Sequence, residues 1–323
     1  MTIKRLLLVV AMVASLAFAV AACGGDDDST EPSSDGGAAS GDLSGTIRID
    51  GSSTVFPFAE AAGELFNEEN PNVKITVGES GTGGGFEKFC AGETDISDAS
   101  RPIKEDEEVP VCEKAGVKYE EIQVANDGIA VVTNPALKVD CLTTAQLKKI
   151  WEPKSKVKNL SEAGDGAPDA QLSLFGPGTD SGTFDFFTDK INGEEGASRE
   201  DYEASEDDNQ LVTGVAGTDG GLGYFGFSYY ESNQDKLNLV GVGEDASSCV
   251  KPSAETIQDA SYFLSRPLFM YPSDKALERP EVKAFMDFVV NNAGDIATAA
   301  KIVPMTDEQA SESKDEVAAL AGS

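Results

Sequence analysis

Small and hydroxyl-bearing residues recur in short runs along this chain, and one run is suited to anion chemistry. In FGPGTDSGTFDFF, Phe175 to Phe187, the four residues Asp180-Ser181-Gly182-Thr183 lead directly into an aromatic, helix-like segment. Ser or Asp can cap a helix start, and first-turn N–H groups lack intrahelical partners, so such a turn can cradle an oxyanion. Similar hydroxyl runs stand at Gly51 to Thr54, at Ser80 to Gly85, and at Ser97, Asp98, Ser100 and Arg101. One such tripeptide is common turn chemistry; several in one chain suggest the walls of a shared site.

Composition narrows the chemistry. The chain has 323 residues, a formal charge of −32 and no histidine. The Ser–His pair of a hydrolase is therefore impossible, and a zinc site would have to be built without imidazole. No metal or cofactor is expected. Lys4-Arg5 and Lys148-Lys149 are the longest basic runs, so the electrostatic footprint of a nucleic-acid binder is missing. The acidic balance repels anions at long range, so an anion site here must work through short-range dipoles and hydrogen bonds.

Residues 1–22 have a basic start at Lys4-Arg5, an apolar stretch from Leu6 to Val20 and small residues before Cys23, the pattern of a secretory signal. The apolar stretch is shorter than the roughly 20 residues a spanning helix needs. Val20-Ala21-Ala22-Cys23 resembles the lipobox of bacterial lipoproteins, which implies a mature chain lipidated at Cys23 and held on the extracytoplasmic face of the cell membrane. Residues 23–44 carry almost no large apolar side chain and are expected to act as a tether. Without residues 1–22 the chain carries 23 basic and 57 acidic residues, a charge of −34.

The elements that must position the hydroxyl runs follow in order. Thr46 to Asp50 alternates like a strand, and Pro57 fits the first turn of a helix ending before Pro71. Val73 to Val77 predicts a second strand, followed by a glycine-rich loop from Ser80 to Gly85 and a helical face at Phe86, Phe89 and Cys90. A polar turn carrying Ser97, Asp98, Ser100 and Arg101 follows. Glu121 to Val132 predicts a buried strand interrupted at Asn126-Asp127-Gly128. A helix capped by Thr143 or Thr144 ends at Trp151, and Gln171 to Phe175 predicts a strand feeding the Asp180–Thr183 run. Ile191 to Gln210 is expected as exposed helix and loop, and Thr218 to Asn233 as a glycine- and aromatic-rich turn and strand. Ser261 to Tyr271 predicts a second long apolar strand, and helices are expected at Pro280 to Ala293 and Glu308 to Leu320. Alternating strands and helices argue for an α/β fold. The two long apolar segments suggest two hinge strands between lobe I, residues 45–130 and 265–323, and an inserted lobe II, residues 131–264. Four cysteines besides Cys23 allow three pairings in an exported chain. Keeping each pair inside one lobe favours Cys90–Cys112 and Cys141–Cys249.

Taken together, GSSTVFPF (51–58), ESGTGGGFEKFC (79–90), DISDASRPI (95–103), LTTAQLKKIWEP (142–153), GPGTDSGTFDFF (176–187) and GLGYFGFSYY (221–230) resemble the PstS-type phosphate-binding proteins of bacterial phosphate ABC importers. The likeness spans Thr46 to about Thr306 in the family's order. It implies a type II periplasmic-binding-protein fold, two α/β lobes joined by two hinge strands, closing on one oxyanion. By position, it implies a phosphate site at Ser53, Thr54 and Val55, at Ser80 or Thr82, at Ser100 and Arg101, and at Asp180, Ser181, Gly182 and Thr183. It implies inorganic phosphate as ligand, an ABC permease with its ATPase as partners, and a chain acting as a monomer. Two departures stand out. Many relatives carry Asp where Ser100 falls, and an arginine four residues before Ser181, where this chain has Pro177. Arg101 is expected to substitute for that arginine; its alternative role is a surface ion pair with Glu105 or Asp106.

Hydrogen phosphate can donate a proton and sulfate cannot, so an acceptor carboxylate would discriminate between them. Asp98 and Asp180 are the candidates, although Asp98 could also cap a helix. The aromatics Tyr224, Phe225, Phe227, Tyr229 and Tyr230 are expected to pack rather than bind. The expected function is extracytoplasmic phosphate binding and delivery to the permease. Receptors for sulfate, molybdate or tungstate and a non-transporting phosphate sensor are the alternatives; a hydrolase using Ser181 would need a base other than histidine.

Overall fold

The computed structural model describes residues 43–321. The expected signal peptide, lipidated Cys23 and nearly all of the tether lie outside them. Strand β1 (Gly45–Gly51) buries Ile47 and Ile49 on one face, and helix α1 (Phe56–Glu69) has Pro57 in its first turn and packs Phe58, Ala59, Ala62 and Phe66 inward. Strand β2 (Val73–Gly78) runs parallel to β1. Helix α2 (Gly81–Cys90) then takes up most of the glycine run expected as a loop. Glycine is a poor helix former, but a Cβ on Gly85 would stand 2.5 Å from Gly51 Cα, so a close helix–strand approach overrides propensity here.

Strand β3 (Ile96–Ala99) lies parallel to β1 with all four residues buried. Ser97 and Asp98 are therefore strand residues, not members of a polar turn; Ile96 and Ala99 anchor the strand between two sheet neighbours. Helix α3 (Val109–Ala115) ends at Gly116, whose φ of 74° suits glycine. Strand β4 (Ile122–Thr133) is continuous across Asn126-Asp127-Gly128, which the sequence suggested as a break. Asn126 exchanges backbone bonds with Val303 at 2.9 and 3.1 Å, and Asp127 and Gly128 stand opposite Arg266 and Ser265 in the β4–β10 ladder.

Strand β5 (Cys141–Thr143) leads into α4 (Thr144–Trp151), where Thr143 and Gln146 form a reciprocal capping box. Strand β6 (Ser173–Gly176) feeds α5 (Gly182–Phe187). Residues 191–210 are mostly irregular, with strand β7 (Glu203–Ala204) and the start of α6 (Asp208–Gly217). Strand β8 (Gly221–Gly226), helix α7 (Phe227–Glu231), strand β9 (Asn238–Gly243) and helix α8 (Ala254–Gln258) follow. Strand β10 (Ser265–Pro272) begins four residues later than expected, after a turn that buries Tyr262 and bonds its hydroxyl to the Ile129 carbonyl at 2.8 Å. Helices α9 (Asp274–Leu277), α10 (Pro280–Ala299) and α11 (Asp307–Ala321) close the chain.

The sheet order is β2-β1-β3-β10-β4-β8-β6-β7, with β9 joining β4 to β5. Strand β4 pairs with β10 through residues 122–128 and with β8 through 129–133, so the central crossing is made by β4 and β10. One core cluster gathers Ile129 to Leu264, together with Val303, around Trp151, Phe187 and Tyr224. A second gathers Ile47 to Ala125 and Leu268 to Val317 around α1 and α10; a smaller one lies under α2 and α3. Both expected disulfides are present, Cys90–Cys112 and Cys141–Cys249.

Candidate functional site

The turn after β1 is held by its own backbone and by β3. Ser52 N–H donates to the Asp98 carbonyl at 2.9 Å, and Val55 and Phe56 N–H groups donate to the Ser52 carbonyl at 3.1 and 2.9 Å. This presents the partly buried Ser53 and Thr54 at the start of α1, while the Val55 N–H serves the turn itself. Opposite them stands the start of α5, where Ser181 Oγ accepts from Thr183 N–H at 3.2 Å. A Cβ on Gly182 would meet Thr54 Oγ1 at 2.1 Å and Ser53 Oγ at 2.5 Å. The two hydroxyl runs thus face each other at contact distance.

The third and fourth runs join as well. Thr82 Oγ1 lies 3.1 Å from Ser100 Oγ and accepts the Ser100 N–H at 3.2 Å. Ser80, the sequence's other choice, is exposed and donates its hydroxyl to Asp50, which also takes Lys88 Nζ at 2.6 Å. Thr82 is thereby tied to another expected ligand, and Ser80 to a structural carboxylate.

Arg101 spends its charge locally. Its Nη1 and Nη2 donate to the two Glu108 oxygens at 2.9 and 2.7 Å, a bidentate pair that raises its affinity for the proton. The partner is Glu108, the last residue of the turn that also contains the Glu105 and Asp106 considered from sequence. Asp180 is exposed, and its N–H reaches Glu206 Oε1 at 3.3 Å. Asp98 is entirely buried, neither carboxyl oxygen has a hydrogen-bond partner among the described residues, and burial together with Asp50 pushes its pKa well up.

A cation that the sequence reading passed over lies between the Thr54 and Gly182 walls. Arg266, on β10, donates from Nη2 to Thr54 Oγ1 at 2.6 Å and to the Gly182 carbonyl at 3.1 Å, and from Nε to Asp127 Oδ2 at 3.2 Å. Its guanidinium carbon sits 4.0 Å from the Phe186 ring centre. Arg266 and Asp127 are Cα partners across β10 and β4, and their side chains are 12% and 11% exposed, so the pair is largely desolvated. Burial lowers the Arg266 pKa and Asp127 opposes that shift. A charged residue inside the apolar run SYFLSRPLFMY, facing the polar interruption Asn126-Asp127-Gly128, was the available signal.

Acids crowd the same region. Burial pushes Asp185 up to about 6, with Glu195 adding and Arg266 opposing; burial pushes Asp208 up to about 7 against a bond from Gly226 N–H. Glu79 is raised by burial and by Asp180 and Glu206. Tyr224 and Phe225 are core residues, Tyr224 stacked on Phe187 with ring centres 3.7 Å apart. No group of three potential metal-ligating side chains occurs among the described residues. A surface cavity of about 850 Å³, lined by Arg48, Asp95, Lys118 and Arg279, lies away from the hydroxyl runs. Its Asp95 is already paired with Arg279 at 2.8 Å, and its size exceeds what a small oxyanion would fill, so the convergent loops are the stronger candidate.

A PBP superfamily domain matches residues 36–293. The phosphate-binding protein PstS of Staphylococcus epidermidis is 40% identical over 274 residues, covering 83% of this chain and 82% of that protein. The chain belongs to the PstS phosphate-binding protein family. Another relative, protein SphX of Synechococcus elongatus, is 45% identical over 262 residues, 80% of this chain and 77% of SphX. The crystal structure of a possible phosphate binding protein from Planctomyces limnophilus superposes with a TM-score of 0.81 at 44% identity, covering 86% of this chain and 99% of that one. The PstS family's type II binding-protein fold, mixed α/β, recurs in an ABC-type phosphate transport receptor from Vibrio cholerae at a TM-score of 0.64 and 23% identity, over 80% and 99% of the two chains.

Proposed function

We propose that this chain is the receptor of a phosphate importer: it binds inorganic phosphate between two lobes and delivers it to an ABC permease with its ATPase. The observation that carries the reading is the meeting of hydroxyl runs from opposite walls, Ser53-Thr54 against Gly182, in a member of the PstS family. Hydroxyl and N–H donors held at contact distance suit a small tetrahedral oxyanion, and binding requires no nucleophile or base from them. The chain is accordingly a binding protein and not an enzyme.

In this reading lobe I is residues 45–130 with 265–323, lobe II is 131–264, and β4 and β10 are the hinge strands. The ligand set is Ser53 and Thr54, Thr82 with Ser100, and Asp180, Ser181, Gly182 and Thr183; Val55, whose N–H is donated to the Ser52 carbonyl, is left out of it. Ser80 gives its hydroxyl to Asp50, and Arg101 enters with its charge already offset by Glu108. Of the two candidate acceptors of the ligand's proton, Asp98 is buried without a hydrogen-bond partner among the described residues and Asp180 is exposed; because burial favours the protonated form of Asp98, it would accept through the oxygen that does not carry its own proton. The mature chain works as a monomer, anchored through lipidated Cys23 on the extracytoplasmic face. Replacing Cys23 by Ser would then move it from the membrane to the soluble fraction; continued membrane retention would contradict the anchor.

Uptake tests the transport role. Cells lacking the chain should lose most high-affinity phosphate uptake and regain it with the parent gene but not with Thr54→Val/Ser181→Ala. Normal uptake in the deletion strain would contradict delivery and favour a sensing role.

A further inference from the structure

We propose that Arg266, oriented by Asp127, is the group that reads the ligand's negative charge, so that the charge-sensing residue of this site sits on the hinge and not on either wall. The inference rests on the phosphate reading above and specifies its electrostatics.

Three observations support it. First, Arg266 is the cation that touches both hydroxyl walls, through Thr54 Oγ1 and the Gly182 carbonyl, whereas Arg101 is closed off by a bidentate carboxylate. Secondly, its Nε and Nη2 account for every hydrogen bond it makes to described residues, leaving the Nη1 donors unassigned. A guanidinium has five N–H donors in a fixed fork, so fixing one edge on Asp127 and Thr54 aims the other edge without further ordering. Thirdly, the desolvated position makes the charge effective. Burying an arginine is unfavourable, and a single carboxylate of equal burial only balances it; the neighbouring Asp185 and Glu195 leave the surroundings negative in net. Arg266 is the positive charge that offsets this repulsion, and because its attraction scales with the ligand's charge, a doubly charged oxyanion gains more from it than a singly charged one.

Asp127 acts through Arg266 and is a positioning residue. Because β10 and β4 carry the pair between both core clusters, the guanidinium keeps its place relative to the hinge while Thr54 and Gly182 approach it from opposite sides. A ligand would then meet the charge first and the second wall on closure.

The test is calorimetric titration of the mature protein with inorganic phosphate at about pH 6 and about pH 8, where the monoanion and dianion dominate in turn. Arg266→Gln should weaken binding by about 100-fold or more, with the loss several-fold larger at the higher pH, and Arg266→Lys should recover part of it. Arg266→Gln strands a buried carboxylate, so Arg266→Gln/Asp127→Asn provides a neutral, hydrogen-bonding pair whose folding is checked by melting; it should fold and still bind weakly. A folded double variant that binds like the parent overturns the proposal. So does an equal loss at both pH values, which is what a purely structural latch would give. A parent that binds no phosphate instead overturns the phosphate reading itself.

Discussion

Gly182 and Thr54 meet so closely that a single methyl group would not fit between them: a Cβ on Gly182 would stand 2.1 Å from Thr54 Oγ1 and 2.7 Å from Thr54 N. The two residues belong to the turn before α1 and the start of α5, so the approach is a tertiary contact between distant segments and not a property of either turn's own fold. Gly182→Ala is therefore expected to weaken phosphate binding by about tenfold or more, roughly 1.4 kcal/mol, by propping the walls apart. Its melting temperature without ligand should change little. Calorimetry and thermal melting together check this; unchanged affinity would mean that the walls do not need this contact to hold the ligand.

The raised carboxyls set a pH dependence. Asp208 and Asp185 hold their protons up to about pH 7 and about pH 6 in the folded chain, above the ordinary range near 4 that applies when it unfolds. Between those limits the folded state binds more protons, so these groups make stability fall as pH rises from about 4 to about 7. Asp208→Asn should melt higher than the parent at pH 8, with the gap narrowing steadily as pH falls from about 7 toward about 4. A constant gap across that range would show that Asp208 is not protonated in the fold.

Loop entropy ranks the two disulfides. Cys141–Cys249 spans 108 residues and Cys90–Cys112 spans 22. The chain-entropy estimate gives about 5 and about 3 kcal/mol respectively. Removing the longer bridge with paired serines should therefore cost more stability in urea titrations, and the reverse order would point to denatured-state structure around Cys141.

Asp98→Asn replaces a buried acceptor by an amide. If the carboxyl takes the ligand's proton, the variant should lose about tenfold or more in phosphate affinity relative to sulfate. Competition titrations read the ratio. An unchanged ratio would remove Asp98 from selectivity and leave it as a buried acid without a ligand role.

The strand–turn–helix units were legible in the sequence because their signals are local: Pro57 in the first turn of α1, the Thr143–Gln146 capping box, the apolar alternation of β1. Other features depend on distant partners. Helix α2 looked like a loop because its glycines disfavour a helix, and the reason they are tolerated is the backbone of Gly51 beneath Gly85. Asp127 looked like a break in β4 because its partner, Arg266, lies in a strand 139 residues away and only the β4–β10 register brings them together. Arg101 attracted attention as the cation inside a hydroxyl run, yet Glu108 on the following segment takes its fork.

The most direct measurement is calorimetric titration of the mature chain with phosphate, arsenate, sulfate and molybdate under one set of conditions. The site described here predicts one phosphate per chain, bound at micromolar concentration or tighter, with arsenate close behind and sulfate and molybdate at least about 100-fold weaker. No heat with phosphate, or sulfate binding as tightly, would contradict it.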